Sequence, residues 1–351
     1  MRRERASQQL PSYRVTAMNP EEPRVAVVIL NWNGLDDTVE CLESLKAMTY
    51  ANYRVIVIDN GSVADEAGSL RERFGSYVHV IENDRNYGFA EGCNIGIRHA
   101  RETSSPDYVL LLNNDTSVDP GFLSELVSVA ESDRTIGIVG AKVFFHHDPR
   151  RIQSAGARAN MWTGQVSLIG WGEIDTGQFG ETRDVQWVGG CAMLIRASAI
   201  EDIGLFDADF FAYFEETDLC ARCWRAGYRV LCAPTAQLWH KRKIAVDRMD
   251  EFRVYYVTRN RFLFMRRNAS RLQLSFFLLQ SLLRNSLATP LTLLIRQRQP
   301  RLLPTYCKAT SDGVRIALTG TGGGENRSLS DRARASAPPG EGRNGGDDAT
   351  Q

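Results

Sequence analysis

An excess of charge of either sign is missing from this chain of 351 residues: Lys and Arg number 42, and so do Asp and Glu. A dedicated nucleic-acid binder would be basic, so that class is set aside. A disulfide framework is missing too. The seven Cys are odd in number and scattered along a long chain, the pattern of reduced thiols. No stretch offers the roughly 20 uninterrupted apolar residues of a membrane span. The most apolar one, Leu272–Ile295, is broken by Gln273, Gln280, Arg284, Asn285 and Pro290. No predicted strand leads into a G-x-G-x-x-G loop and G-x-x-x-x-G-K-S/T is absent, so dinucleotide and P-loop readings lose their main support. Residues 1–22 carry Arg2, Arg3 and Arg5 but not the apolar core of a signal peptide; a cytoplasmic protein with a loose N-terminal tail is expected.

What is present is an ordinary globular composition, 43% hydrophobic and 24% charged, which at this length folds without metal or disulfides. The charge is unevenly spread. Between Lys241 and Lys308 fifteen Lys/Arg face only Asp247, Asp250 and Glu251, a local charge of +12. A neutral body with one basic, apolar flank is expected. Residues 321–351 hold seven Gly, Pro338-Pro339 and Leu329 as their one large apolar residue, too little to offset ordering entropy, so a disordered tail is expected.

Between the tails, short apolar runs alternate with helical spacing. Strands are predicted at Val25–Leu30, Val55–Ile58, Val78–Ile81, Tyr108–Leu112, Ile136–Val139 and Tyr228–Cys232. Helices are predicted at Asp36–Ala47, Phe89–His99, at Pro120–Ala130 with Pro at an early position, and at Thr217–Ala226 closed by Gly227. Continuous apolar strands between helices indicate a mostly parallel sheet covered on both faces. Ligands of such sheets bind beyond the carboxyl ends of the strands, where Asn31, Asp59 and Asp115 should share one crevice. Residues 142–186, rich in Gly, Trp and polar residues, are expected to form a loop or hairpin excursion over it. Structure resumes at Trp187–Arg196.

Several constellations could carry chemistry. Asn113-Asn114-Asp115 after a strand suits either a turn or a carboxylate that binds Mn²⁺ or Mg²⁺ on a diphosphate. Glu215, Glu216 and Asp218 open a helix, where acids favour the helix dipole. The preceding aromatic run Phe210–Phe214 would desolvate them and turn one into a general base. His240, 24 positions after Glu216, could complete a metal shell or be structural. Cys220 and Cys223, with Cys232 and His240, superficially match a zinc set, but their helical spacing fits buried thiols better. Asn86-Tyr87-Gly88-Phe89-Ala90 would bring backbone and a helix N-terminus close to a ligand, or simply link a strand to a helix.

Taken in order, these segments resemble glycosyltransferase family 2, especially its bacterial rhamnosyltransferase-like and galactofuranosyltransferase-like members. The resemblance rests on Val27–Gly34, Val57–Ser62, Asn86–Asn94, Leu111–Asp115, Gly189–Met193, Gly204–Asp207, Phe214–Leu219 and Trp239-His240, and covers about residues 24–265. It implies a GT-A fold over 23–265, a Rossmann-like α/β sheet flanked by helices, and inverting transfer from a dTDP- or UDP-linked sugar. The resemblance further implies Asn31, Asn33, Asp59, Asn86, Gly88, Asn94, Asn113, Asn114 and Gly190 as nucleotide-sugar-binding residues. It assigns Asp115 and His240 to the metal and Glu216 to the base, with Glu215 and Asp218 as rivals. Asn113 stands where many members carry Asp. Residues 266–320 are expected as a basic amphipathic helical flank lying at the inner face of the plasma membrane, with a helix packed on the body as the alternative. The expected reaction moves L-rhamnose from dTDP-L-rhamnose to a cell-envelope glycan or lipid-linked acceptor. A nucleotidyltransferase would open with a Gly-rich loop containing Arg and Lys, which Val25–Gly34 lacks. A non-catalytic nucleotide-binding scaffold is the other rival.

Overall fold

The structure, a computed structural model, describes residues 22–241, 251–283 and 299–320. The tail expected at 1–22, Glu22 apart, the tail at 321–351, and the end of the Leu272–Ile295 segment lie outside the described residues.

The chain opens as a strict alternation: β1 (Val25–Asn31), α1 (Leu35–Lys46), β2 (Tyr53–Asp59), α2 (Glu66–Phe74), β3 (Val78–Glu82), α3 (Gly88–Ser104) and β4 (Tyr108–Asn113). It continues through β5 (Thr116–Val118), α4 (Phe122–Glu131) and β6 (Ile136–Phe145). The excursion follows as β7 (Asp148–Ser154), β8 (Ala157–Asn160), β9 (Gln165–Leu168) and β10 (Arg183–Asp184). The body closes with β11 (Ala192–Arg196), α5 (Ala197–Ile203), α6 (Glu215–Arg225) and β12 (Arg229–His240). Among the described residues three helices follow: α7 (Glu251–Asn268), α8 (Arg271–Leu283) and α9 (Leu303–Thr319).

One sheet runs β10-β12-β6-β11-β4-β1-β2-β3. The β4-β1-β2-β3 block and the β12–β6 pair are parallel. Between them β11 runs antiparallel to both β4 and β6. The apolar runs are continuous because both sheet faces are covered. Val25, Val27 and Ile29 enter a core roofed by α1, α2 and α4, while Ala26 and Val28 enter one roofed by α3, α5 and α6. On the second face α3 lies so close that a Cβ at Gly96 would stand 2.4 Å from Val28 Cγ1. An Ala there would push the helix off the sheet.

Several boundaries differ from expectation. The fifth strand extends to Phe145, since Ala141, Val143 and Phe144 are also buried. Pro120 precedes α4, which starts at Phe122, and its carbonyl accepts from Thr49 N–H. Helix α2 was not expected. Its only buried apolar side chains are Ala67, Leu70 and Phe74, beside the buried Glu66, and Asp65 caps it by accepting from Gly68 N–H (2.8 Å). The C-terminal helices pack on the body. Phe262, Phe264 and Met265 of α7 join Phe277 of α8, Ile316 of α9 and Phe210 and Phe214 in a third core.

Candidate active site

Parallel register sets Asn31 beside Asp59 and Asp59 beside Glu82, so the carboxyl ends of β1, β2 and β3 form one polar edge. Beyond it lies a cavity of ≈ 460 Å³ whose walls include Asp59, Ser62, Asp65, Glu82, Asn83 and Asp84. Asn31 is fully buried. Its Nδ2 donates to Asp59 Oδ1 (3.1 Å) and Glu66 Oε2 (2.8 Å), and its Oδ1 accepts from Thr38 Oγ1 (2.7 Å). Asn31 thereby orders the acidic wall of this cavity. Burial pushes the Asp59 carboxyl above its ordinary range, opposed by hydrogen bonds from Ser62 and Asn31. Asn33 holds a left-handed φ of 50° and accepts from Val63 N–H (2.8 Å), while its shielded Nδ2 has no partner.

Asn86 and Gly88 meet at the start of α3. Asn86 Oδ1 accepts from Gly88 N–H (2.7 Å) and from Asn60 Nδ2 (2.9 Å). Asn60 in turn accepts from Asn83 Nδ2 and Tyr87 N–H, which makes it the node of this loop. The sequence marked Asn60 only as part of a turn. Gly88 has φ +81°, and a Cβ on it would stand 2.5 Å from Phe211 O. The loop before α6 thus abuts the N-terminus of α3. Asn94 does not reach this edge: its Oδ1 accepts from Phe206 N–H and its Nδ2 donates to Phe206 O, both at 3.0 Å. It ties α3 to the segment leading towards α6.

The β4 end carries the second group. Asn113 N–H donates to Cys191 O (3.1 Å), and Asn114 Nδ2 donates to Thr38 Oγ1 (3.0 Å). Because β11 runs antiparallel to β4, Gly190 lies at the same edge, against the Phe89 ring. Asp115 Oδ1 stands 3.0 Å from His240 Nε2. Strand pairing makes this contact, since His240 is opposite Thr116 in the β5–β12 pair. Burial works to raise the Asp115 carboxyl, but the hydrogen bond and charge of His240, with Lys241 behind, hold it below the ordinary carboxylate range. Sequence reasoning missed the residue behind the histidine: Gln153 of β7, buried, with Oε1 2.7 Å from His240 Nδ1.

A divalent cation is implied here by the resemblance. Gln153 Oε1 can only accept, so it fits an Nδ1–H and leaves Nε2 as the ring nitrogen that faces Asp115. One carboxylate and one imidazole, open to solvent on one side, would suit a Mn²⁺ or Mg²⁺ ion that displaces the Nε2 proton and takes its remaining ligands from water and phosphate. Among the described residues no cluster of three His, Cys, Asp or Glu side chains is placed to hold a metal by itself. Cys220, Cys223 and Cys232 are buried free thiols, so the zinc-like spacing is a packing pattern.

The third group opens α6. Phe211, Tyr213 and Phe214 hold φ of 64°, 68° and 75°, left-handed values at three non-glycine residues. The helix starts at Glu215, earlier than expected. Glu215 is buried, and its shielded Oε2 has no hydrogen-bond partner. Burial and the charge of Glu216 push its carboxyl well up. Glu216 is less buried, with a shielded, unpartnered Oε2. Burial pushes it up to about 7 against the pull of backbone N–H groups at Phe214, Glu216 and Thr217. Asp218 differs: Oδ2 pairs with Arg222 Nε (2.8 Å) and Oδ1 accepts from Asn268 Nδ2 (2.7 Å). Both Asp218 oxygens are thus engaged in holding α6 to its neighbours.

The covered mostly parallel sheet with its polar edge is the GT-A architecture. Residues 26–204, just over half of the chain, match the family described as Glycosyl transferase family 2, and the chain belongs to that family. It is 23% identical over 290 residues to the dTDP-rhamnosyl transferase RfbF of Shigella flexneri, covering 77% of this chain and 89% of that one. It is 25% identical over 226 residues to the N-acetylglucosaminyl-diphospho-decaprenol L-rhamnosyltransferase of Mycobacterium tuberculosis, covering 59% and 72%. Protein y4gI of Sinorhizobium fredii is 30% identical over 243 residues, 65% of this chain, and the chain spans only 26% of that longer protein. Among solved structures, the mannosyltransferase PcManGT from Pyrobaculum calidifontis, in complex with GDP-Man and Mn²⁺, is similar in fold with a TM-score of 0.52 and 16% identity, over 93% of this chain and 83% of that one.

Proposed function

We propose that the protein is a metal-dependent inverting glycosyltransferase that moves L-rhamnose from dTDP-L-rhamnose to a cell-envelope glycan or lipid-linked acceptor. The observation that carries this reading is the division of labour among its carboxylates: Asp115 is held charged against His240, while Glu216 is poised near neutrality at the head of α6. The rhamnosyl donor is supported by the names of the Shigella and Mycobacterium relatives.

Glu216 is the base. It accepts the proton of the acceptor hydroxyl as that oxygen attacks the anomeric carbon from the face opposite the leaving diphosphate. Beside it burial and the Glu216 charge push the Glu215 carboxyl well up, towards its uncharged form. Asp115 and His240 would hold the cation, which when bound supplies charge stabilisation to the leaving nucleoside diphosphate. The cavity beyond β2 and β3 takes the nucleoside, and the Asn60–Asn86–Gly88 network fixes the loop beside it.

The protein acts at a membrane surface in this reading. Among the described residues no helix is long and apolar enough to cross a membrane. Helix α8 nevertheless turns Leu272, Phe276, Leu279 and Leu282 outward, and Trp162 of the β8–β9 hairpin meets Phe276 edge-on at 5.6 Å. Arg266 and Arg271, close to α8 in the chain, and Arg301 are exposed as well, and such side chains would meet anionic head groups.

The test is a thermal-shift and transfer panel with dTDP, UDP and GDP, with and without Mn²⁺, followed by dTDP-L-rhamnose and an N-acetylglucosaminyl-diphospho-lipid. A ligand at 100 times its Kd adds about 2.7 kcal/mol of stability. A Mn²⁺-dependent shift largest with dTDP is expected. A larger shift with UDP redirects the donor, and no shift with any nucleotide removes the reading.

A further inference from the structure

The backbone ahead of Glu216 is under strain that its own sequence does not relieve. Three residues from Phe211 to Phe214 lie at positive φ without being glycine, a conformation that persists only where surroundings impose it. What imposes it comes from α7. Asn260 is fully buried, and its Nδ2 donates to three carbonyls of this loop: Phe210 O (2.8 Å), Ala212 O (2.7 Å) and Tyr213 O (2.8 Å). Two hydrogens serve three acceptors, so one is shared. Arg259 Nη1 donates to Asn260 Oδ1 (2.8 Å), which fixes which way the amide faces. The rest of α7 grips the same segment on either side. Arg267 pairs with Asp207 and Asp209, Asn268 holds Asp218, and the Phe211 ring stacks on Tyr256 at 5.0 Å. On the other side Phe211 O accepts from Ala90 N–H (3.1 Å).

We propose that Asn260 is a positioning residue for transfer: by collecting three carbonyls of the 210–213 loop it holds the left-handed backbone that aims Glu216 at the acceptor hydroxyl. A loop released from these bonds would relax towards ordinary backbone angles, and the head of α6 would turn with it. Helix α7 is then part of the catalytic apparatus, although it lies beyond the family-matched residues 26–204. The proposal rests on Glu216 being the base.

The test uses the full chain with Asn260→Ala, which removes both donors. Asn260→Ser, which keeps one hydroxyl donor, takes its place if the alanine chain does not fold. Backbone hydrogen exchange needs no substrate. Amides of residues 210–217 should exchange faster in the variant while β1–β4 keep wild-type protection. With dTDP-L-rhamnose, Mn²⁺ and the diphospho-lipid acceptor, kcat should fall about 10²-fold, the scale expected for a reacting group misplaced by about 1 Å, while the donor KM stays within about twofold of wild type. Restoring the backbone without restoring Asn260 gives the discriminating arm. Tyr213 is 37% exposed, and Tyr213→Gly relieves its positive φ, so adding it to Asn260→Ala should recover part of kcat. A wild-type kcat in the folded variant, or a loss that Tyr213→Gly does not lessen, overturns the proposal. Full transfer by Glu216→Gln overturns the assignment of the base instead, and leaves the exchange result standing as a statement about the loop.

Discussion

Two acidic groups in this protein have opposite electrostatics. At the β4 end, Asp115 is buried but faces His240, with Lys241 next in the chain, and its carboxyl is held below the ordinary range. At the head of α6, the buried Glu215 and half-buried Glu216 pair with no cation among the described residues, and both carboxyls are pushed up. The side-chain chemistry is nearly the same; the partners are not. A carboxylate kept charged suits a cation and a diphosphate, and one kept near neutrality suits proton transfer. The proposed mechanism uses this difference to divide roles that residue type alone leaves open. It also separates the three acids of α6. Glu215 is buried, Asp218 is tied to Arg222 and Asn268, and Glu216 is the one the proposed mechanism uses.

The hardest way to break this comparison is to remove the proton acceptor. Glu216→Gln keeps shape and burial and should lower transfer by about 10³-fold, the middle of the range for general-base removal, with dTDP affinity unchanged by calorimetry. Transfer at the wild-type rate would take Glu216 out of the mechanism. Asp115→Asn acts on the other group. It removes the charge facing His240 and should cost about 10²-fold in transfer, as expected when a cation's charge stabilisation is weakened. The loss should be partly recovered at high Mn²⁺ in a titration of rate against metal. A loss indifferent to Mn²⁺ would mean that the Asp115–His240 pair is structural.

Much of this comparison was legible in the sequence, and the illegible part has a common cause. Asn31, Asp59 and Asp115 are readable because strand ends follow continuous apolar runs. Glu215 and Glu216 are readable because an aromatic run precedes them. The antiparallel β11 is not distinguishable, since Ala192–Ile195 is buried on both faces and looks like any parallel strand. Helix α2 hides because its three buried apolar side chains are diluted by charge. Gln153 and Asn260 hide for a deeper reason. Each acts through hydrogen bonds to residues 87 and 47–50 positions away, and no local period encodes such a contact. Asn260 also sits in an Arg-rich stretch whose composition points to a surface. The structure instead buries nine residues of α7, Arg259 and Asn260 among them.

Gln153 sharpens the Asp115 side of the comparison. If it sets the His240 tautomer, Gln153→Leu should weaken Mn²⁺ binding by about 10- to 100-fold, the usual range for a residue hydrogen-bonded to a metal-ligating histidine. Gln153→Glu, which still accepts from Nδ1–H, should retain affinity. Electron paramagnetic resonance of free Mn²⁺ measures both without substrate. Equal losses in the two variants would point to simple damage of β7.

The smallest effect is on stability, and its sign runs against activity. The Glu216 carboxyl is pushed from 4.5 to about 7 in the folded chain, so the folded state holds a proton that the unfolded state releases. Its contribution is fully present below about pH 4.5 and is lost as pH rises through about 7. At about 1.36 kcal/mol per unit the loss is at most about 3 kcal/mol, a few degrees in Tm for a chain of this size. Transfer should move the other way, rising through the same window as the base loses its proton. Glu216→Gln should therefore be more stable than wild type at pH 8 and nearly equal to it at pH 4.5, while inactive at both. Calorimetric scans at the two pH values test this. A variant less stable than wild type at pH 8 would mean that Glu216 is charged and satisfied in the folded protein, and the contrast with Asp115 would fall.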